Sequence, residues 1–237
     1  MKKITSIALA LCFAFAAFAQ QGIELGLRVI PQNSAIFNQE DFDAGDELNF
    51  ESTWGIAFGA SAAYNFTDNL GAGLQLIYST QGQKYIDEES NPNITSQTDL
   101  TYFKVPILFH LNTSSEARFM FSMNIGPQFG FLMDAERSTV SLSNSDFEAL
   151  FGIKTKDLYS SMDLGATLGL GFDVNITENL QAGFKLRLET SLADIEEKDA
   201  TFQDLVTGTA VKIYDDNRSS SANAVGGLQF GINYIIK

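Results

Sequence analysis

Cysteine, histidine and tryptophan each occur once in these 237 residues, and 15 basic residues stand against 29 acidic ones. The lone cysteine, Cys12, lies in the leading segment. The chain beyond it therefore has no disulfide, cysteine nucleophile or thiolate metal site. The shortage of Lys and Arg argues against nucleic acid as a partner, because phosphate contacts need positive charge. After the leader, no apolar run is long enough for a transmembrane helix. No Pro-rich or Ser/Gly-rich linker divides the chain, so residues 20–237 read as one domain.

The leader itself reads MKKITSIALALCFAFAAFAQ. Two lysines precede an apolar stretch from 7 to 18, and Ala17, Phe18 and Ala19 fit a small-x-small cleavage site. Residues 1–19 are therefore expected to be an export signal that is removed. Leu11 stands before Cys12 where lipidation would want a small residue, which disfavours a lipoprotein. Lys2 and Lys3 leave with the signal, so 13 basic residues face 29 acidic ones in the mature chain, a net −16 with His neutral.

What remains is patterned with a period of two. In ENLQAGFKLRLETSL, Leu180, Ala182, Phe184, Leu186 and Leu188 alternate with Lys185, Arg187 and Glu189. Side chains of a strand point to alternate faces, so one face is oily and the other charged. The same reading predicts eight strands, at 23–30, 54–66, 70–80, 100–111, 117–132, 161–176, 180–190 and 222–236. Their connections alternate strictly. Three are short and polar (67–69, 112–116, 177–179), and four are long (31–53, 81–99, 133–160, 191–221). An up-and-down meander puts alternate connections at the same end. One end is thus trimmed and the other carries every long loop, as in an outer-membrane barrel with short periplasmic turns and long extracellular loops. Asn65–Leu76 (NFTDNLGAGLQL) is echoed by 175–186 (NITENLQAGFKL), through shared turn chemistry or a half-barrel duplication.

Phase decides which face meets lipid. Trp54, Ile56, Phe58 and Tyr64 alternate with Gly55, Ala57, Gly59 and Ser61, and Leu70, Leu74, Leu76 and Tyr78 with Gly71, Gly73, Gln75 and Ser79. The small face cannot fill a soluble hydrophobic core, so the large apolar face points outward to lipid. Trp54, Tyr64, Phe66, Tyr78, Phe103, Phe109, Phe131 and Tyr234 fall near the expected wall rims, where interfacial aromatics gather. The interior then receives Glu24, Arg28, Lys104, His110, Arg118, Asp163, Asp173, Lys185, Arg187 and Glu189. Eight strands leave room only for side chains, and buried charges need partners. A paired interior plug is expected, with a selective pore as its rival.

Pro106 in Thr101-Tyr102-Phe103-Lys104-Val105-Pro106-Ile107-Leu108-Phe109 removes a ladder hydrogen bond and implies a bulge or kink. This strand resembles the Tyr-x-x-apolar-Pro-apolar-apolar strand of the PorT-like outer-membrane β-barrel family. Asn124-Ile125-Gly126-Pro127-Gln128-Phe129-Gly130, the Gly-rich stretch 163–172 and Leu192-Ala193-Asp194-Ile195 are similar to that family in order and spacing. The resemblance covers nearly all of the mature chain. It implies an all-β, eight-stranded antiparallel up-and-down transmembrane barrel and, for some members, a secretion-associated role. Gln229, Gly231, Tyr234 and Ile236 resemble an outer-membrane assembly signal, from which the chain departs by ending on Lys237 rather than an aromatic residue.

Catalytic chemistry is thin. His110 belongs beside the short turn 112–116, the wrong end for a Ser-His-acid site acting on surface lipid, and Arg118 is expected across the hairpin from it. Gly71-x-Gly73 and Gly169-x-Gly171 lie in strands with no following helix, so phosphate-binding geometry is missing. Glu40, Asp41, Asp43, Asp46, Glu47 and Glu51 make the first loop acidic, but their spacing does not keep the EF-hand order, and a solvated loop is the reading. The expected protein is non-enzymatic and without cofactor or metal. Its partners are outer-membrane lipid, the assembly machinery and an envelope or surface protein bound by loops 31–53 and 191–221, which carry much of the acidity and leave the wall most freely. The alternatives are a small-solute pore and an accessory component of a secretion or assembly machine.

Overall fold

A computed structural model describes residues 22–43, 49–87, 94–113, 117–139, 143–151, 153–203, 209–214 and 218–236. The leader 1–19, Asp46 and Glu47 of the acidic loop, and Lys237 lie outside the described residues. The elements in chain order are β1 (Ile23–Phe37), α1 (Gln39–Asp43), β2 (Asn49–Asn65), β3 (Leu70–Asp87), β4 (Ile94–Asn112), β5 (Phe119–Thr139), α2 (Asn144–Phe151), a 3-10 turn (Thr155–Leu158), β6 (Met162–Asn175), β7 (Leu180–Ser191), β8 (Thr201–Gln203), β9 (Ala210–Lys212) and β10 (Ala222–Ile236). β1 to β7 and β10 close a ring in which each strand pairs antiparallel with its sequence neighbour and β10 returns to β1, while β8 and β9 form a separate ribbon in the last long connection. This is the eight-stranded up-and-down barrel that the alternation demands. Closure leaves no unpaired strand edge in the bilayer.

The apolar face is outside. Leu27 is 69% exposed, Trp54 80%, Phe109 60% and Phe119 68%, whereas Ala57, Gln75, Lys104 and Arg187 on the opposite phase are buried. A continuous belt of such side chains is stable against lipid and not against water. Small inward residues answer a steric need. A Cβ on Gly59, Gly126 or Gly171 would collide with the carbonyl oxygen of Leu76, Ile107 or Phe184 respectively, because strands in so narrow a barrel coil sharply.

The strands run well past the expected boundaries at the long-loop end. β1 continues to Phe37, β3 to Asp87 and β5 to Thr139; β2 starts at Asn49 and β4 at Ile94. At 21 residues, β5 is about twice the ~9–11 that a tilted strand needs to cross the bilayer. The extensions mix polar and charged residues with scattered apolar ones such as Ile36, Phe37, Phe50 and Ala135, with no sustained apolar alternation to mark them. Much of 31–53 is therefore wall, not free loop. Pro106 also behaves differently from expectation. β4 keeps one register with β3 and with β5 on either side of it, only skipping rungs, and the bulge falls at Thr101/Tyr102 instead.

At the other end, the two echoed turns are built alike. Phe66 N and Thr67 N donate to Leu70 O, as Ile176 N and Thr177 N donate to Leu180 O. The Thr67 hydroxyl accepts from Asn69 N and Leu70 N, and the Thr177 hydroxyl from Asn179 N and Leu180 N. Asn69 then donates to Asn112 O and Thr113 O of the next hairpin, and Asn179 to Ile235 O. Each Thr-acid-Asn turn thus ties two hairpins together, which accounts for the echo.

The described parts of the first, third and fourth long connections fold over the bore rather than leaving it. Ile36, Leu100, Tyr102, Leu132, Ala135, Leu158, Tyr159, Ile195 and Ala200 form a buried apolar core, with Phe147, Ile153 and Ile213 packed against it. Backbone bonds stitch this cap together: Ser160 N to Ile195 O, Glu197 N to Leu158 O, and Ile195 N to Ser221 O. Such a core, placed above the membrane and roofing a polar lumen, has no counterpart in the strand pattern.

Candidate functional site

Inside the barrel, polar side chains lie in three tiers. Nearest the short turns, Arg28 lies 3.7 Å from Glu24, and its guanidinium donates to Leu27 O at 3.0 Å. Lys185 pairs with Asp173 at 2.9 Å. His110 is buried within coulombic reach of Lys185, Arg28 and Asp173. Gly231 leaves the space that Arg28 fills, since a Cβ there would lie 2.7 Å from its Nη1.

The middle tier is a clamp across the bore. Glu189 accepts from Lys104 Nζ at 2.6 Å and from Arg187 Nε at 2.5 Å. Lys104 also donates to Gln81 at 2.6 Å. Arg187 reaches Gln75 at 2.8 Å and Gln229 at 3.0 Å. Gln128 donates to Glu189 and accepts from Thr167. β3, β4, β5, β6, β7 and β10 all contribute, so the clamp joins opposite walls. Above it, Asp163 accepts from Ser191 Oγ at 2.8 Å and Asn223 Nδ2 at 3.2 Å rather than from a cation. Gln32 bonds to Ser79 and to Thr80 O.

Arg118 does not join these tiers. It is exposed, ahead of β5, and its carbonyl accepts from Asn175 N; His110 faces Asn124 instead. The phase was right but the strand begins at Phe119, two residues later than expected, which leaves Arg118 in water below the rim. Four cations (Arg28, Lys104, Lys185, Arg187) and four carboxylates (Glu24, Asp163, Asp173, Glu189) remain among the described lumen residues. The glutamines were the residues that charge counting missed. Gln75, Gln81, Gln128 and Gln229 all sit on the inward phase, which is the signal that would have found them. Of the proposed assembly signal, Gln229 points inward to Arg187, while Tyr234 and Ile236 are exposed to lipid.

A second cluster crowns the cap. Arg218 forks between Glu196 (2.6 and 3.0 Å) and Asp41 (2.9 and 3.1 Å), and stacks 5.2 Å from the Tyr214 ring. Burial lowers the pKa of this guanidinium, but the two carboxylates reverse the effect and raise it above the ordinary range. Tyr85 donates to Asp41 at 2.9 Å, and burial together with that carboxylate pushes its phenol upward. Glu51 pairs with Lys84 at 2.6 Å. Asp41 and Glu51 of the acidic loop are thus tied to cations, and the loop is anchored to the last connection through Arg218.

A family model described as outer membrane protein beta-barrel domain matches residues 18–197. No curated protein sequence matches the chain. Among solved structures, the chain is similar to Neisserial surface protein A (TM-score 0.47, 10% identity, covering 90% of this chain and 97% of that one). It is also similar to OprG from Pseudomonas aeruginosa (0.48, 14%, 91% and 96%) and to the outer membrane protease OmpT from Escherichia coli (0.42, 7%, 92% and 98%). At these scores and identities the likenesses carry no argument about activity. The family match spans well over half of the sequence, and this chain belongs to the outer membrane protein β-barrel domain family, seated in the outer membrane with its long loops outside the cell.

Proposed function

We propose that this barrel is a non-conducting, non-enzymatic outer-membrane protein that works through its folded extracellular cap, in contact with envelope or surface partners. One observation carries the reading: the bore is crossed by the Lys104–Glu189–Arg187 clamp and then roofed by the apolar core around Leu100, Leu158 and Ile195. An ion would have to displace a buried charge network in which Lys104 and Arg187 share Glu189, and then an apolar plug. The wall gains nothing from so elaborate a roof, because its hydrogen bonds close between strands. Export by the leader 1–19, insertion guided by Gln229, Gly231, Tyr234 and Ile236, and a PorT-like grouping within the family complete the proposal.

Planar-bilayer recording on the refolded protein tests it. The expected record is a flat baseline at moderate voltage, with channels appearing only when the clamp is cut by Arg187→Ala together with Glu189→Ala. A stable ohmic conductance from the unaltered protein would reject the plugged reading in favour of a small-solute pore.

A further inference from the structure

The cap holds a cavity of about 310 Å³ that none of the preceding roles uses. It lies between Ile36 and Ile213 on the apolar side, Ser96 and Thr98 on the β4 wall, and the rings of Tyr85, Tyr159 and Tyr214, with Arg137, Arg218, Asp41 and Glu196 around it. Its size is at the small end of ligand pockets, roughly 300–1,000 Å³, and suits a molecule of one or two residues rather than a polymer segment.

Two poles distinguish this cavity. Asp41 and Glu196 form the negative one; both are held by Arg218, and lone pairs remain on Asp41 Oδ1 and on both Glu196 oxygens, Asp41 Oδ2 being taken by Arg218 and Tyr85. Arg137 forms the positive one. It pairs with no carboxylate among the described residues; its Nε approaches Ser96 Oγ at 3.5 Å, its guanidinium rests 5.5 Å from the Phe147 ring, and its two terminal nitrogens have no partner there. The main chain beneath it is fixed, because the Arg137 backbone N–H donates to Asn144 Oδ1 at 2.9 Å, and that oxygen also accepts from Thr155 Oγ1 at 2.7 Å. Both poles reach the same phenols. Burial raises Tyr159 and Tyr214, while Glu196 adds to the rise and Arg137 and Arg218 oppose it. The Tyr214 hydroxyl makes no hydrogen bond among the described residues.

From this arrangement we infer that the cavity is a binding site for a small zwitterion of the α-amino-acid or dipeptide class. The ligand's carboxylate lies on the Arg137 terminal nitrogens, its ammonium faces Asp41 and Glu196, and an apolar side chain packs on Ile36, Ile213 and the tyrosines. The overall charge selects the same class. A mature chain at net −16 repels free anions from its surface, whereas a molecule with no net charge approaches unhindered and then meets both poles. A simple cation fits less well, because it would leave the Arg137 terminal nitrogens and the apolar lining unused. The inference rests on the cap being the working end of the protein. It is independent of conductance, so a barrel that conducts yet binds the ligand would overturn only the plugged reading.

Isothermal titration of the refolded barrel in detergent, with glycyl-leucine as the probe, tests the site. Saturable binding is expected, weakened about tenfold or more when the probe's amine is acetylated or its carboxylate amidated, as the loss of one charge-assisted bond implies. Arg137→Gln should weaken glycyl-leucine to a similar degree while leaving the amidated probe unchanged, and Arg137→Lys should restore part of the loss. Heat-dependent SDS gel mobility reports that each variant still folds. Absence of saturable binding to the folded wild type overturns the assignment. So do equal affinities for the acetylated and free probes, which would mean an anion site only, and indifference to Arg137→Gln in a folded variant.

Discussion

Glu189→Gln is the sharpest single perturbation of this barrel. The carboxylate joins Lys104 and Arg187, and its side chain and theirs are all less than 5% exposed. Removing one partner of a buried pair costs about 3–5 kcal/mol, because the other charge is left desolvated. Here two cations lose their counter-charge, which pushes the cost up. The amide that replaces the carboxylate would still offer one carbonyl, Lys104 keeps Gln81, and Arg187 keeps Gln75 and Gln229, which pulls it down. The net expectation is about 3 kcal/mol, from the lower end of that range. Adding Lys104→Met should recover part of it, since contacting residues couple by about 0.5–3 kcal/mol. Urea unfolding in detergent micelles, followed through the single tryptophan, Trp54, measures the change as a shifted midpoint at unchanged slope. A loss below about 1 kcal/mol, the usual worth of a solvated pair, would refute the reasoning. It would mean that Lys104 and Arg187 are bathed in water and that the bore is open.

Two further perturbations address the cap. Leu158 is fully buried in the apolar roof, so Leu158→Ala should cost the cap about 2–5 kcal/mol. The cap should become protease-sensitive while the barrel keeps its heat-dependent gel shift; loss of both would show that roof and wall fold as one unit. Asp194 is expected to give the cap a pH dependence. Burial works against its ionisation, but the backbone N–H groups of Ser221 and Glu196, with Lys198, outweigh it and hold its pKa below the ordinary aspartate value. A depressed folded-state pKa stabilises above the unfolded value and loses that contribution as pH falls through the folded one. Protection of the Ser221 and Glu196 amides, measured against their intrinsic exchange rates at each pH, should accordingly fall on acidification below the ordinary aspartate range, and Asp194→Asn should abolish the step. An unchanged step in that variant would assign the titration elsewhere.

The wall was legible in the residues themselves, because alternation is a local consequence of the strand period. Leu186 between Lys185 and Arg187 can face only one way, and whichever face is large must meet lipid when the other is Gly, Ala and Ser. Two of the three short turns, 67–69 and 177–179, were legible because their chemistry is also local, Thr67 and Thr177 bonding within their own turns. Arg118 missed the lumen because a strand start can shift by two residues without any change in hydrophobic phase. Other features depended on contacts between residues far apart in the chain. The upper strand extensions carry no sustained apolar alternation, polar residues standing among Ile36, Phe37 and Ala135, so only their pairing, such as Gln83 with Thr98, shows them to be wall. Arg218 meets Asp41 across 177 positions, and Tyr102 shares its core with Leu158 and Ile195. Closing the barrel brings those partners together, and only then do four apparently loose, acidic loops become a folded roof with a cavity in it.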